Sequence, residues 1–305
     1  IMAFDRSVRI CIDPEKCITC GECVKVCSHD TISIVAKKAV ISGESCLHCD
    51  HCRAACANDA ISIEGIDDSL NQFATFNASK NWIPFGEYDT GSLITLMQSR
   101  RSCRNYKKKA VEKEILEDLV KIGVTAPSGS NCQMWSFTVL SDRASVISLG
   151  EESMNFFKRL NGLASKSWLR NMLKLIGKPE LSDYYVNNYE RIREGIEEWE
   201  SNGKDMLFHG APAAILVSNK LEASCPADDA LLATQNILLG AHAIGLGTCL
   251  IGYVVNAMRR SPEIAANLGI PEDEEVFAII ALGYPKETYA GLSGRRTVPI
   301  RYIGS

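Results

Sequence analysis

The chain has 305 residues, 46% of them hydrophobic and 23% charged, with 33 basic against 37 acidic side chains and a net charge of −4. This length exceeds one average domain and falls short of three, and the globular composition excludes disordered and collagen-like classes. A nearly balanced charge gives no electrostatic case for a nucleic-acid partner, and no run of 18 or more apolar residues predicts a membrane span.

The first twenty residues carry Asp5, Arg6, Arg9, Asp13, Glu15 and Lys16 and no apolar signal core, so a cytoplasmic location is expected. Val8 to Ile12 reads as a strand before an Asp13-Pro14 turn, with Cys11 expected as a small buried hydrophobe on it. Cysteine then dominates: nine of the 13 lie in the first 56 residues. Without a secretion signal, such density points to metal ligation rather than disulfides. Residues 17–27 read C-x2-C-x2-C-x3-C, and residues 46–56 repeat the pattern. Zinc sites usually pair two CxxC units across a longer gap, whereas three cysteines at three-residue steps wrap one face of an iron–sulfur cube. An offset of 29 maps Cys17, Cys20, Cys23 and Cys27 onto Cys46, Cys49, Cys52 and Cys56, Asp30 onto Asp59, and Ile32-Ser-Ile34 onto Ile61-Ser-Ile63. A repeat that keeps both ligands and flanking strand residues predicts two similar half-units.

Residues 8–64 resemble the bacterial two-cluster ferredoxins. The resemblance implies two 4Fe-4S clusters, one on Cys17, Cys20, Cys23 and Cys56, the other on Cys46, Cys49, Cys52 and Cys27. Ser28 and Ala57 stand where that family has proline after each fourth cysteine. The expected organisation is a two-cluster ferredoxin-like domain over residues 1–66, a linker over 67–89 and a second domain over 90–305.

Residues 65–90 are rich in Gly, Asp and Asn without periodicity, as in a linker or a strap over the surface. From Ser92 the pattern is α/β. Val111, Ile115, Leu119 and Ile122 mark a helix face ended by Gly123, and Phe137–Leu140, Ala214–Val217 and Val276–Leu282 read as buried strands. Residues 152–202 are helical and amphipathic, with Tyr185, Tyr189, Ile192, Ile196 and Trp199 on one stripe suited to core packing. Asp228 to Ile244 reads as a long helix, acidic in its first turn and uncharged in its middle, which must be buried on most sides by the domain or a second subunit. Four segments carry chemistry. Arg100, Arg101, Ser102 and Arg104 can hold a phosphate through charge-assisted bonds. Ala126 to Trp135 offers amide and hydroxyl groups on a turn-rich loop. Gly245 to Gly252 permits close backbone approach to a flat ligand but lacks the third glycine of the dinucleotide fingerprint. Gly294-Arg-Arg296 adds a second cationic pair.

In this order the four segments resemble the FMN-dependent nitroreductase family over residues 90–303, with Met134 in place of the family's proline. The resemblance implies an α+β fold class overall: a ferredoxin-like domain followed by an α/β nitroreductase-type FMN domain, assembled as a homodimer. It assigns Arg100, Arg101, Ser102 and Arg104 to the FMN phosphate and ribityl chain, with Arg295 or Arg296 completing the phosphate site. Pro127, Ser128, Asn131 and Gln133 line the isoalloxazine from the partner subunit, and Leu250, Ile251 and Gly252 pass near its N5. No side-chain nucleophile is expected; Cys103, Cys132 and Cys249 read as small buried residues, and His209 and His242 as packed histidines. Clusters pass single electrons and flavin takes one or two. The expected activity is therefore reduction of a small flat electrophile (nitroaromatic, quinone or activated alkene) with electrons from an external one-electron donor such as ferredoxin. The alternatives are an electron-transfer module serving a partner protein, and a redox or iron sensor without turnover.

Overall fold

The computed structural model of the chain describes residues 5–304. The N-terminal half-units are β1 (Ile10–Ile12), α1 (Glu22–Lys25), β2 (Ile32–Val35), β3 (Lys38–Ile41), α2 (His51–Ala54) and β4 (Ile61–Ile63). β1 pairs antiparallel with β4, Ile10 opposite Ile63 and Ile12 opposite Ile61, which ties the start of the first unit to the end of the second. β2 and β3 form a hairpin turned by Ala36 and Lys37, both left-handed, at φ 49° and 62°. The 29-residue repeat extends to the backbone. Thr19 and His48, Gly21 and Asp50, and Asp30 and Asp59 all adopt positive φ at matching positions. Cys23, Ile32, Ala39, Cys52, Ile61 and Ile63 make a small core. Cys11 is not in it. The expectation of a buried residue fails because strand alternation turns Ile10 and Ile12 toward the core and leaves Cys11 exposed.

The segment after β4 is a strap, not a free linker. The Arg53 guanidinium on α2 grips the Asp68 carboxylate through two bonds, 2.8 and 3.0 Å. Farther on, the buried Asp118 accepts from the amides of Ala74 and Thr75 at 3.0 and 2.8 Å and from the Thr75 hydroxyl at 2.6 Å. Phe73 and Phe76 stack beside these bonds at 4.5 Å.

The larger half contains α3 (Thr90–Ser99), α4 (Lys113–Gly123), β5 (Trp135–Leu140), α5 (Arg143–Ala164), α6 (Ser167–Leu175), α7 (Glu180–Asn187), α8 (Tyr189–Asn202), β6 (Ala213–Lys220), α9 (Pro226–Ala243), β7 (Gly247–Leu250), α10 (Gly252–Arg260), α11 (Glu263–Ala266) and β8 (Glu274–Gly283). The sheet order is β5-β6-β8-β7, and every pairing is antiparallel. Continuous apolar runs suit it nonetheless, because both faces are covered. Ala214 and Leu216 of β6 face one core, with Val146 and Leu149 of α5 and Val254 of α10. Ala213, Ile215 and Val217 face the other, with Leu119 of α4 and Ile237 of α9. α4 and α9 cross closely: a Cβ on Gly240 would lie 2.8 Å from Ile122, and one on Gly123 would lie 3.0 Å from Ile237. The apolar character of α9 is only partly used within one chain, since Leu231 and Leu232 remain 48% and 45% exposed. No helix among the described residues is long and apolar enough to cross a membrane.

Asp118 makes the strap testable. Burial acts to raise its carboxyl, but the bonds from Thr75 and Ala74 outweigh this and hold it below the ordinary value. A depressed carboxyl stabilises the fold above its unfolded value of about 3.9, and the contribution is lost as pH falls through the lower folded value. Asp118→Ala should therefore cost about 2–3 kcal/mol at pH 7 in denaturant unfolding. The gap to the parent should narrow only below about pH 4. Equal stability at pH 7 would mean that the strap is held elsewhere.

Candidate functional site

The fold brings Cys27 of the first motif to the cysteines of the second. A small cavity is lined by Cys27 from the first motif and by Cys46, Cys49 and Cys52 from the second. Cys52 is pushed up to about 11 by burial, and Cys49, Cys27 and Cys46 add to the effect. Cys17, Cys20 and Cys23 likewise neighbour one another, and Cys17 and Cys56 pack against the same core. Amide groups point at sulfur in matching pairs: Thr31 N–H to Cys27 Sγ and Ala60 N–H to Cys56 Sγ, each 3.3 Å. Among the described residues, no three His, Cys, Asp or Glu side chains converge as a single metal ion requires. The C-x2-C-x2-C-x3-C spacing suits an iron–sulfur cube better than zinc.

In the larger half, two of the four segments meet at β7. Ser102 bridges Thr248 in parallel, and the Cys103 amide donates to the Thr248 carbonyl at 2.8 Å. This lays the arginine segment alongside the 247–252 segment, with Arg100 and Arg104 both near Cys249. Of the glycines there, Gly245 takes φ +90° after α9, and Gly247 abuts Cys103, where a Cβ would lie 2.6 Å away. Gly252, at the start of α10, faces open space. A cavity of about 640 Å³ lies before it, bordered by Arg104 and Leu250–Gly252 and roofed by α5, α8 and residues 205–209. The C-terminal segment runs close by: Arg101 donates to the Gly291 carbonyl at 3.3 Å and lies over the Tyr289 ring. Arg295 and Arg296 are exposed, Arg295 bonding Ser293 and Gly294.

The Ala126–Trp135 segment contributes no residue to this cavity's lining. Pro127 and Gln133 are exposed, and the Asn131 side chain donates to the carbonyls of Leu47 and His48 at 3.1 and 3.0 Å. Those carbonyls belong to the loop between Cys46 and Cys49. Asn131 thus joins the flavin-motif loop to the cysteine half. Beneath the loop, the buried Asp229 of α9 accepts from the Gly129 amide at 2.8 Å and from Cys132 Sγ at 3.4 Å. Reading Asp229 as a helix-dipole residue missed this role. Burial pushes Cys103 up to about 12 and raises Cys249, so neither is a ready thiolate. His242 is disfavoured as a cation by burial and then by Arg100 and Arg101.

The nitroreductase family model matches residues 97–284, more than half of the chain, and the chain belongs to that family. The 4Fe-4S binding domain model matches residues 10–33; the second cysteine motif lies beyond that match. A provisionally named NADH dehydrogenase/NAD(P)H nitroreductase of Archaeoglobus fulgidus is 27% identical over 194 residues, covering 64% of this chain and 86% of that protein. An iodotyrosine deiodinase of Thermotoga neapolitana is 24% identical over 198 residues, covering 64% and 89%. The chain spans 61% of the mouse iodotyrosine deiodinase 1, at 24% identity. A solved nitroreductase of Bacteroides fragilis with bound FMN shares 24% identity at a TM-score of 0.49, covering 70% of this chain and all of that one. The protein is thus an oxidoreductase of the nitroreductase family carrying a 4Fe-4S binding segment.

Asp229→Ala should release the loop it holds. Amide exchange at Gly129 should quicken by about tenfold or more, as expected for a lost bond to a charged acceptor. Unchanged protection would show that the loop is fixed without Asp229.

Proposed function

We propose that the chain is an FMN-dependent reductase that takes single electrons from an external carrier such as ferredoxin, through two 4Fe-4S clusters, and reduces a flat nitroaromatic, quinone or activated alkene. The observation that carries this reading is the Asn131 contact, because it joins a flavin-motif loop to the Cys46–Cys49 loop. A reductase fed by hydride alone has no use for such a junction.

The residues fit both groups. Cys27, Cys46, Cys49 and Cys52 surround one cavity, and amides point at the sulfurs, as thiolate ligation favours. Cys17, Cys20, Cys23 and Cys56 form the equivalent set. Arg100, Arg104 and Ser102 flank β7, and Gly252 leaves room for a flat ligand against the backbone. When bound, the clusters supply one-electron carriers and FMN supplies a centre able to take up electrons singly and deliver a hydride. The chain's part is to hold phosphate with Arg100, Arg101, Ser102 and Arg104, and with Arg295 or Arg296, and to keep Leu250, Ile251 and Gly252 against the ligand. Pro127, Ser128, Asn131 and Gln133 reach such a ligand only from a second copy, since within one chain they lie away from the cavity. Exposed Leu231 and Leu232 on α9, with Ile94 and Met97 on the adjoining α3, offer the apolar face a homodimer would cover. A cavity of about 640 Å³ favours a small-molecule substrate over a relay to a protein partner.

Two outcomes follow. Arg104→Ala should weaken FMN binding to the apoprotein about ten- to a hundredfold, the loss of one charge-assisted contact of about 1.5–3 kcal/mol. Unchanged affinity would put the phosphate elsewhere. The names of the relatives make NAD(P)H the rival donor. Anaerobic turnover of a nitroaromatic or quinone should be fast with reduced ferredoxin and slow with NADH or NADPH. Fast NADPH-driven turnover that ferredoxin cannot match would overturn the proposed electron source.

A further inference from the structure

The cavity before Gly252 carries positive charge that phosphate binding does not use. Its walls are apolar and aromatic, including Phe157, Trp199, Phe208 and Tyr253. Its charged lining is Arg104, Arg191 and Asp205. Asp205 is already committed. One oxygen accepts from the amides of Leu207 and Phe208 at 3.0 and 2.7 Å. The other accepts from the Gly210 amide at 3.1 Å and pairs with Arg143 at 2.8 Å. It has little left to neutralise a ligand-side cation. On α8, Arg193 takes Glu190 and Glu197, whereas Arg191 forms no ion pair among the described residues and lies 5.7 Å over the Tyr253 ring. A guanidinium beside an aromatic face, with no carboxylate of its own, is a receptor for a planar anion.

His209 strengthens the case. It lines the same cavity in the left-handed region at φ 58°, a strained state for a non-glycine residue. The amides of Leu207, Phe208 and Gly210, donating to the Asp205 carboxylate, hold it there. Burial disfavours its protonation, Asp205 opposes that, and Arg104 and Arg191 reinforce it. At neutral pH it is an uncharged ring able to donate one hydrogen bond.

We propose that the substrate is a flat conjugated carboxylic acid, its ring against the aromatic wall and its carboxylate held by Arg191, with His209 as a further donor. This deepens the proposed reductase reading and rests on it for the reaction, but recognition of the anion is separable from turnover. Leu250, Ile251 and Gly252 serve the flavin reading, and Arg191 is brought to the same cavity by α8.

The test uses the FMN-loaded full chain and two probes of one shape, 4-nitrobenzoate and 4-nitrobenzamide. Binding is read from the perturbation of flavin absorbance without any electron donor, and turnover is read separately with dithionite. The acid should bind about tenfold tighter than the amide, a difference of about 1.4 kcal/mol. Arg191→Gln should bring the ratio of the two affinities close to one, and Arg191→Lys should restore part of it. Because Arg191 is exposed, neither change threatens folding. Equal binding of the two probes by the parent, or a ratio that Arg191→Gln leaves intact, would overturn the proposal. Failure of both probes to turn over, with the acid preference present, would instead count against the reductase reading and leave anion recognition standing.

Discussion

The loop from Ser128 to Gln133 is gripped from two sides, and the relation between the two halves of the chain depends on that grip. Ser130, Asn131 and Gln133 all take positive φ without being glycine. Each such residue costs free energy, so the conformation persists only where the surroundings over-determine it. Three contacts do so: Asp229 holds the Gly129 amide, the Ser128 hydroxyl holds the Gln133 amide at 3.0 Å, and the Asn131 side chain reaches the Leu47 and His48 carbonyls. A buried carboxylate below and two backbone carbonyls above thus fix a loop that the sequence pattern alone would leave as a generic turn. Strain of this kind marks places where position matters more than stability, and this one lies against a cysteine loop.

The cysteine half is built on an equal interdependence. Cys27 leaves its own motif to join Cys46, Cys49 and Cys52 around one cavity. β1 and β4 close the ends of the two units on each other. The two repeats therefore share a cavity lining and a core. The strap that follows is anchored at Arg53–Asp68 and again at Asp118, so the short N-terminal core gains support from the larger half. Small domains with little apolar area need such staples.

Much of this was legible in the chain itself. The 29-residue offset foretold two similar half-units with matching strand residues, and the apolar runs foretold β5, β6 and β8. Pattern reading stopped where tertiary contacts decide. Cys11 sits on a strand whose alternation sends it outward. Gly247 serves packing against Cys103, which no spacing rule reveals. Asp118 and Asp229 look like ordinary acidic helix residues until their distant amide partners, 43 and 100 positions away, are placed. The electropositive cavity joins α5, α8, the 205–209 segment and β7, elements far apart in sequence. The stripe at Ile192, Ile196 and Trp199 was visible as periodicity, yet periodicity cannot say that it faces a cavity as well as a core.

The central claim is that electrons reach the flavin through the cysteine half, across the contact between the 46–49 and 128–133 loops. Its most direct test is anaerobic rapid mixing of reduced ferredoxin with the FMN-loaded full chain and with the Cys27→Ser form, following flavin absorbance. The account predicts fast bleaching in the parent and little in the variant, with dithionite bleaching both. Equally fast ferredoxin-driven bleaching in both would contradict it.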